Sequence, residues 1–137
     1  MTRDTRTGSV LERMILPSLD QGGYSYRLQV PLGNRPGGGR HMVDAVATKA
    51  SMSVLLSVKW QQVSGTAEQK VPFEVICLLA ALDAPSYHKA YLVLGGEGWT
   101  LRDFYTSGGL SKYISYGSRV DIVTLEAFIG RANAGRL

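Results

Sequence analysis

Cysteine is almost absent from this chain. Its 137 residues include only one, Cys77, which excludes an internal disulfide and any metal centre built from several thiolates. Val75, Ile76, Leu78 and Leu79 surround it, the setting of a buried, inert thiol rather than a nucleophile. Such a thiol is compatible with an intracellular, reducing compartment, the cytoplasm. Long apolar runs are missing too: none approaches the roughly 20 residues that a membrane helix needs. The opening MTRDTRTGS has no apolar signal-peptide core, so no export signal is expected. The glycine-rich GNRPGGGR (33–40) lacks a Lys-Ser/Thr ending and precedes a strand, which argues against a nucleotide P-loop. Repeats, linkers and low-complexity segments are absent as well.

What remains is the composition of an ordinary globule, 45% hydrophobic and 19% charged. At this length a single domain over 1–137 buries most of its apolar surface without staples. A net charge of +4 suits a polyanionic partner, though many unrelated enzymes share it.

Residues 1–8 are polar and read as a frayed, flexible arm. Ser9 and Glu12 have capping-box spacing and open a helix with Val10, Leu11, Met14, Ile15 and Leu19 at helical intervals. Pro17 kinks or shortens it, and Gly22-Gly23 ends it. Strands are expected over 24–30, 41–48 and 52–60, with the loop 33–40 between the first two. Thr66 caps a second helix reaching Asp83; because Pro72 lies inside it, a start near Val71 or a kink competes. The run 88–96 is apolar enough for a central strand buried on both faces. A short helix capped by Thr100, a strand RVDIVT and a helix LEAFIGRANA complete the chain. The expected fold is α/β: one domain around a mixed sheet.

Two polar residues interrupt strands that otherwise read as buried. Asp44 stands between Val43 and Ala45-Val46, and Lys59 ends the adjacent strand after Leu55, Leu56 and Val58. On neighbouring strands they can share one site. There a carboxylate binds a divalent cation, while an ammonium orients water or offsets the charge of a phosphorane.

This pattern resembles the PD-(D/E)XK nuclease superfamily, the fold of many restriction endonucleases and of Holliday junction resolvases. The likeness runs over roughly residues 9–95 in the order helix, three strands, helix, strand. It implies a magnesium site built from a first-helix glutamate, an aspartate on the second strand and an acidic-x-Lys on the third. The matching positions are Glu12, Asp44 and Ser57-Val58-Lys59. The stretch KWQQVSGTAEQKVP also looks like the strand-to-helix passage of bacterial and phage members.

Ser57 departs from the pattern, because a serine cannot neutralise a magnesium ion. A branch of restriction endonucleases with Ser or Cys there takes its carboxylate from the following helix. Glu74 has about that spacing and breaks the apolar stripe between Val71 and Leu78; Glu68 is the second candidate, or else a first-turn dipole partner. Glu12 equally fits the far half of a capping box. The Val58 carbonyl completes the implied set for Mg²⁺ or Mn²⁺.

Gln61 falls on the face of Ser57 and Lys59 by alternation and reaches the water or phosphate. Arg35, Arg40, His41 and Ser57 are the candidate DNA contacts, His41 being equally a surface imidazole; the two arginines would follow the backbone. The resemblance implies a DNA endonuclease, structure-specific or restriction-like, acting as a homodimer because two strands take two sites. The rival reading, fed by Ser57, is an inactive DNA-binding or assembly module that has kept the fold.

Overall fold

In the computed structural model, which describes residues 6–137, the chain opens with a helix in three parts. They are α1 (Arg6–Val10), a wider π-helical turn (Leu11–Ile15) and α2 (Leu16–Gly22). The wide turn explains why Pro17 does not end the helix. A proline ring clashes with the carbonyl four residues back, and widening the turn makes room for it. The Leu16 N–H donates to the Leu11 carbonyl, five residues back, and Pro17 falls in the first turn of α2. The expected capping box does not form, because the helix is already under way when it reaches Ser9. Of the expected arm, residues 6–8 are helical, and the rest lies outside the described residues. Gly23, at φ +85°, ends α2 in the left-handed conformation glycine adopts freely.

Five strands follow: β1 (Ser25–Asn34), β2 (Arg40–Lys49), β3 (Met52–Trp60), β4 (Lys89–Gly95) and β5 (Val120–Thr124). They lie side by side in chain order, β1 to β5. The β1–β2 and β2–β3 pairs are antiparallel, and β3–β4 and β4–β5 are parallel. The sheet is therefore mixed, as the pattern suggested. The first hairpin is longer than expected: both strands run into the glycine-rich segment, and the Arg35 N–H closes the turn on the Gly39 carbonyl at 2.8 Å.

Parallel neighbours need a crossover, and α3 (Val71–Ala81) supplies it between β3 and β4. A 3₁₀ turn (Ala67–Lys70) leads into it, and Pro72 occupies its first turn, so the helix proper starts at Val71. Thr66 makes no side-chain cap. The β4–β5 connection carries α4 (Arg102–Thr106) and a second 3₁₀ turn (Gly109–Lys112), and α5 (Leu125–Asn133) closes the chain. α5 begins on a true cap, the Thr124 hydroxyl accepting the Ala127 N–H at 3.2 Å.

The sheet has a core on each face. Val71, Val75 and Leu78 of α3 cover Val46, Leu55, Leu92 and Leu94 on one side. Leu11, Ile15 and Leu19 of the first helix, with Phe128 and Ala132 of α5, cover Leu56, Val58, Tyr91 and Val93 on the other. Each fully buried leucine contributes about 1.5–3 kcal/mol of transfer free energy. β4 is buried along nearly its whole length, as a central parallel strand must be. Cys77 is buried in α3, and burial raises the pKa of its thiol. Among the described residues no helix is long and apolar enough to cross a membrane.

Two glycines test the packing of α2 on α5. A Cβ at Gly22 would lie 1.8 Å from the Ala132 carbonyl oxygen, whereas one at Gly130, exposed within α5, meets nothing within 4 Å. Gly22→Ala therefore overpacks a backbone contact and should destabilise the chain by about 2 kcal/mol or more. Gly130→Ala should stabilise it by about 1 kcal/mol. Urea melts of the two variants check both signs.

Candidate functional site

The site lies where β2 leaves β3. Their register runs from Lys49↔Met52 to Ala45↔Leu56 and then stops. The next residue of β2 is Asp44, and its carboxylate takes over from the missing backbone partner: Oδ2 accepts the Val58 N–H at 2.7 Å. A strand residue's N–H and C=O point to the same edge, so the Val58 carbonyl faces the same gap. Asp44, Val58, Lys59, Ser57 and Glu74 all line one cleft of about 830 Å³. The first helix forms its other wall, with Glu12 among the lining residues, and Lys70 borders it before α3.

Glu74 is the most heavily engaged carboxylate. The His41 imidazole donates to its Oε1 at 3.2 Å, and Lys59 Nζ stands 3.7 Å from its Oε2. Ser57 adds to the groups that hold down the pKa of Glu74. Its side chain is 15% exposed and that of Lys59 is 30%, so the pair is only partly screened by water. Burial pushes the Glu74 carboxyl up, but His41, Lys59 and Ser57 together outweigh it and hold it below the usual carboxylate range. Asp44 goes the other way. Burial raises its pKa, the Glu74 charge adds to that, and the Val58 N–H and Lys59 offset only part.

Other residues singled out from the sequence sit elsewhere. Glu68 is buried with its carboxylate accepting the Thr100 and Leu101 N–H groups, and its own carbonyl accepts the Tyr105 hydroxyl. It fixes the two residues that lead into α4, a helix that has no side-chain cap and so lacks the one expected from Thr100, and it does not line the cleft. Gln61 is buried behind the strand end, donating to the Gly98 carbonyl and accepting the Ala67 N–H. β3 has already ended at Trp60, so alternation no longer governs where Gln61 points. His41 is 4% exposed and lies against Glu74 rather than on the surface. Arg35 and Arg40 are exposed at the far end of the β1–β2 hairpin, outside the cleft.

The sequence reading passed over Gln29, Arg13, Lys70 and Trp60, all of which line the cleft. A polar glutamine inside RLQVPL was the available signal for the first. The others face the cleft only through the packing of distant segments.

Among the described residues, no three His, Cys, Asp or Glu side chains converge as a metal cage. Two carboxylates on the cleft wall, Asp44 and Glu74, are nevertheless what a magnesium-type ion takes when water and substrate phosphates complete its shell. The charges fit as well. Arg13, Lys59 and Lys70 face Glu12, Asp44 and Glu74, so a divalent cation would turn a balanced cleft into an anion-binding one.

A family model described as the PD-(D/E)XK nuclease superfamily domain matches residues 3–135. No curated protein matches the chain. Among solved structures, the one titled "Crystal Structure of Protein of Unknown Function AF1548" aligns with a TM-score of 0.50 at 7% identity, over 81% of this chain and 54% of that one. The chain spans about half the length of that protein, and the likeness bears on the fold alone.

The opposite shifts of Asp44 and Glu74 give opposite pH signatures. A carboxyl whose pKa is raised by folding weighs against the fold once ionised, so its penalty is present at neutral pH and disappears in acid. Asp44→Asn should therefore raise the melting temperature at pH 7.5 in EDTA, the gain vanishing as the pH falls below the usual aspartate range. Glu74, whose pKa is lowered, stabilises above its unfolded pKa, so Glu74→Gln should lower the melting temperature at pH 7.5 and converge on the parent in acid. Thermal melts across that range check both signs.

Proposed function

The chain belongs to the PD-(D/E)XK nuclease superfamily, and on that premise we propose that it is a DNA endonuclease dependent on Mg²⁺ or Mn²⁺. The observation that carries this reading is the seat of Glu74. It lies against Ser57 and Lys59, so a helix carboxylate stands where the third strand offers a serine in place of the acid. Asp44 and Glu74 would hold the ion, with the Val58 carbonyl beside them and Glu12 at the rim. When bound, the ion would polarise the scissile phosphate and lower the pKa of its water.

The chain's own groups do the rest. Lys59 offers three donors and no acceptor, so it holds the attacking water and offsets negative charge as the phosphorane develops. Its 3.7 Å separation from Glu74 keeps the ammonium aimed into the cleft at a modest energetic cost, since the contact is longer than a tight ion pair. His41, buried behind Glu74, fixes the rotamer of that carboxylate. Arg13 and Lys70 border the cleft where they could meet flanking phosphates. Arg35 and Arg40, on an exposed hairpin, would extend the backbone contact away from the reacting bond.

The substrate is a duplex cut as by a restriction enzyme or a branched structure such as a junction. Cutting two strands takes two sites, so the working form is a homodimer, and the exposed Phe73 and Ile76 of α3 offer an apolar face for it. A second reading has one observation in its favour: the lack of a three-ligand cage among the described residues suits a module that binds DNA without cutting it.

Incubation with Mg²⁺ or Mn²⁺ and a panel of duplex, flap and four-way-junction DNAs separates the two. The enzyme should nick or cut at least one of them and stop on addition of EDTA. Lys59→Ala should lower the cleavage rate by about 10²–10³ while DNA affinity in Ca²⁺ stays near the parent's. Glu74→Ala should be equally inactive, and adding Ser57→Glu to it should return part of the activity. Glu68→Ala should instead lose stability, with cleavage by the folded fraction retained. DNA binding without cleavage under every metal condition would establish the module reading.

A further inference from the structure

Gln29 has a backbone φ of +50° in the middle of β1. That left-handed conformation is uncommon outside glycine, and the side chains enriched in it are Asn, Asp and His. Strain of this kind persists only where the surroundings impose it, and it gathers at working sites.

The surroundings here are explicit. Before Gln29, Tyr24 and Tyr26 pack on the core shared with the first helix and α5; after it, Val30 and Leu32 pack on the α3 core. An uninterrupted strand returns every second residue to the same face, so β1 reverses its faces at Gln29. β2 does the same: Ala45 and Ala47 face the first-helix core and Val43 the α3 core. The pairs Leu28↔Ala45 and Val30↔Val43 flank the reversal with the register unbroken. Gln29 and Asp44 therefore stand opposite each other at the position where both strands switch. Past this point β2 no longer pairs with β3, and Asp44 reaches the Val58 N–H. Gln29 lines the cleft across from Asp44, and its side chain is among the groups that lower the pKa of that carboxyl; toward an ionised carboxylate, which only accepts, the carboxamide would act as donor.

We propose that Gln29 is the positioning residue for Asp44. Its left-handed backbone turns the end of the β1–β2 hairpin off β3. Its carboxamide holds the carboxylate with one oxygen on the Val58 N–H and the other turned to the cleft. The consequence for cleavage rests on the nuclease reading; the contact with Asp44 does not.

Gln29→Gly keeps the backbone conformation and removes the carboxamide, and Gln29→Asn tolerates the same conformation with a shorter one. Three readouts apply to each: hydrogen exchange at the Val58 amide, titration with Mn²⁺ alone, and cleavage at saturating DNA. Gln29→Gly should exchange Val58 at least about tenfold faster and bind Mn²⁺ about 10–100-fold more weakly, the usual cost of losing a group that orients a ligand. It should lower kcat with KM nearly unchanged, and Gln29→Asn should fall between glycine and the parent. Parental Val58 exchange and Mn²⁺ affinity in Gln29→Gly would overturn the proposal, as would an asparagine variant no better than glycine. Should the glycine variant not fold, partial losses in the asparagine variant support the proposal, and parental values overturn it. If the parent cuts no DNA the nuclease reading fails, while Val58 exchange still decides the role of Gln29.

Discussion

The hydrogen bond from the Val58 N–H to the Asp44 carboxylate is the interaction around which the rest of the site is arranged. Two antiparallel strands that separate inside a buried sheet leave donors and acceptors without partners, and each such orphan costs free energy comparable to a lost bond. Here a side chain substitutes for the missing strand. The sheet can open at one end without leaving Val58 unsatisfied, and the cleft exists because of that opening. The same bond ties a carboxylate to the strand that carries Ser57 and Lys59, so the three groups share one rigid frame.

The frame holds its charges in tension. Asp44 is desolvated and lies near a second carboxylate, so its ionised form is disfavoured. Glu74 is half-buried too, but His41, Lys59 and Ser57 act on it and the balance falls the other way. The difference is that Asp44 also bears the Glu74 charge, while Glu74 has the His41 imidazole against it, and it marks Asp44 as the group with unmet electrostatic need. A site that must attract a cation is better served by a carboxylate in that state than by one already neutralised. Lys59 cannot resolve the tension alone, because its single ammonium is set against both acids.

Much of this was legible in the residues. Asp44 and Lys59 betrayed themselves by interrupting apolar strands, and Glu74 by breaking the stripe of its helix between Val71 and Leu78. The succession of elements along the chain followed from turn chemistry, and Pro72 kept a start near Val71 open against the cap at Thr66, which does not form. What escaped has a common physical cause. Glu68 and Gln61 were placed by local spacing, yet their partners are Thr100, Leu101 and Gly98, more than thirty residues away. His41 read as a DNA contact or a surface imidazole because nothing in its own strand announces Glu74. Strict alternation would set Asp44 on the face of Met42 and Val46, but it fails at Asp44, where β1 and β2 change face together. A left-handed glutamine carries no sequence signature, so the reversal could not be read in advance, although the polar Gln29 stands out inside RLQVPL. Ser9, in a perfect capping-box spacing, shows the opposite error: the spacing is local, but the helix had started earlier.

Several departures from local rules meet at the cleft, while the positive φ of Ala50 and Ser51 belongs to the β2–β3 turn. The positive φ of Gln29, the ladder that stops at Ala45 and the desolvated Asp44 all lie at the cleft. Away from it, β4 is almost wholly buried, α5 begins on a proper cap, and Tyr91 meets Phe128 edge to face at 5.5 Å. Each departure would be destabilising in isolation, and the well-packed cores on both sheet faces supply the stability that tolerates them. A chain selected only for stability would extend the β2–β3 ladder past Ala45 and close the gap with apolar side chains. That this one keeps the gap open, with an under-compensated acid on one strand and a lysine on the next, is the physical reason to read the cleft as a working site.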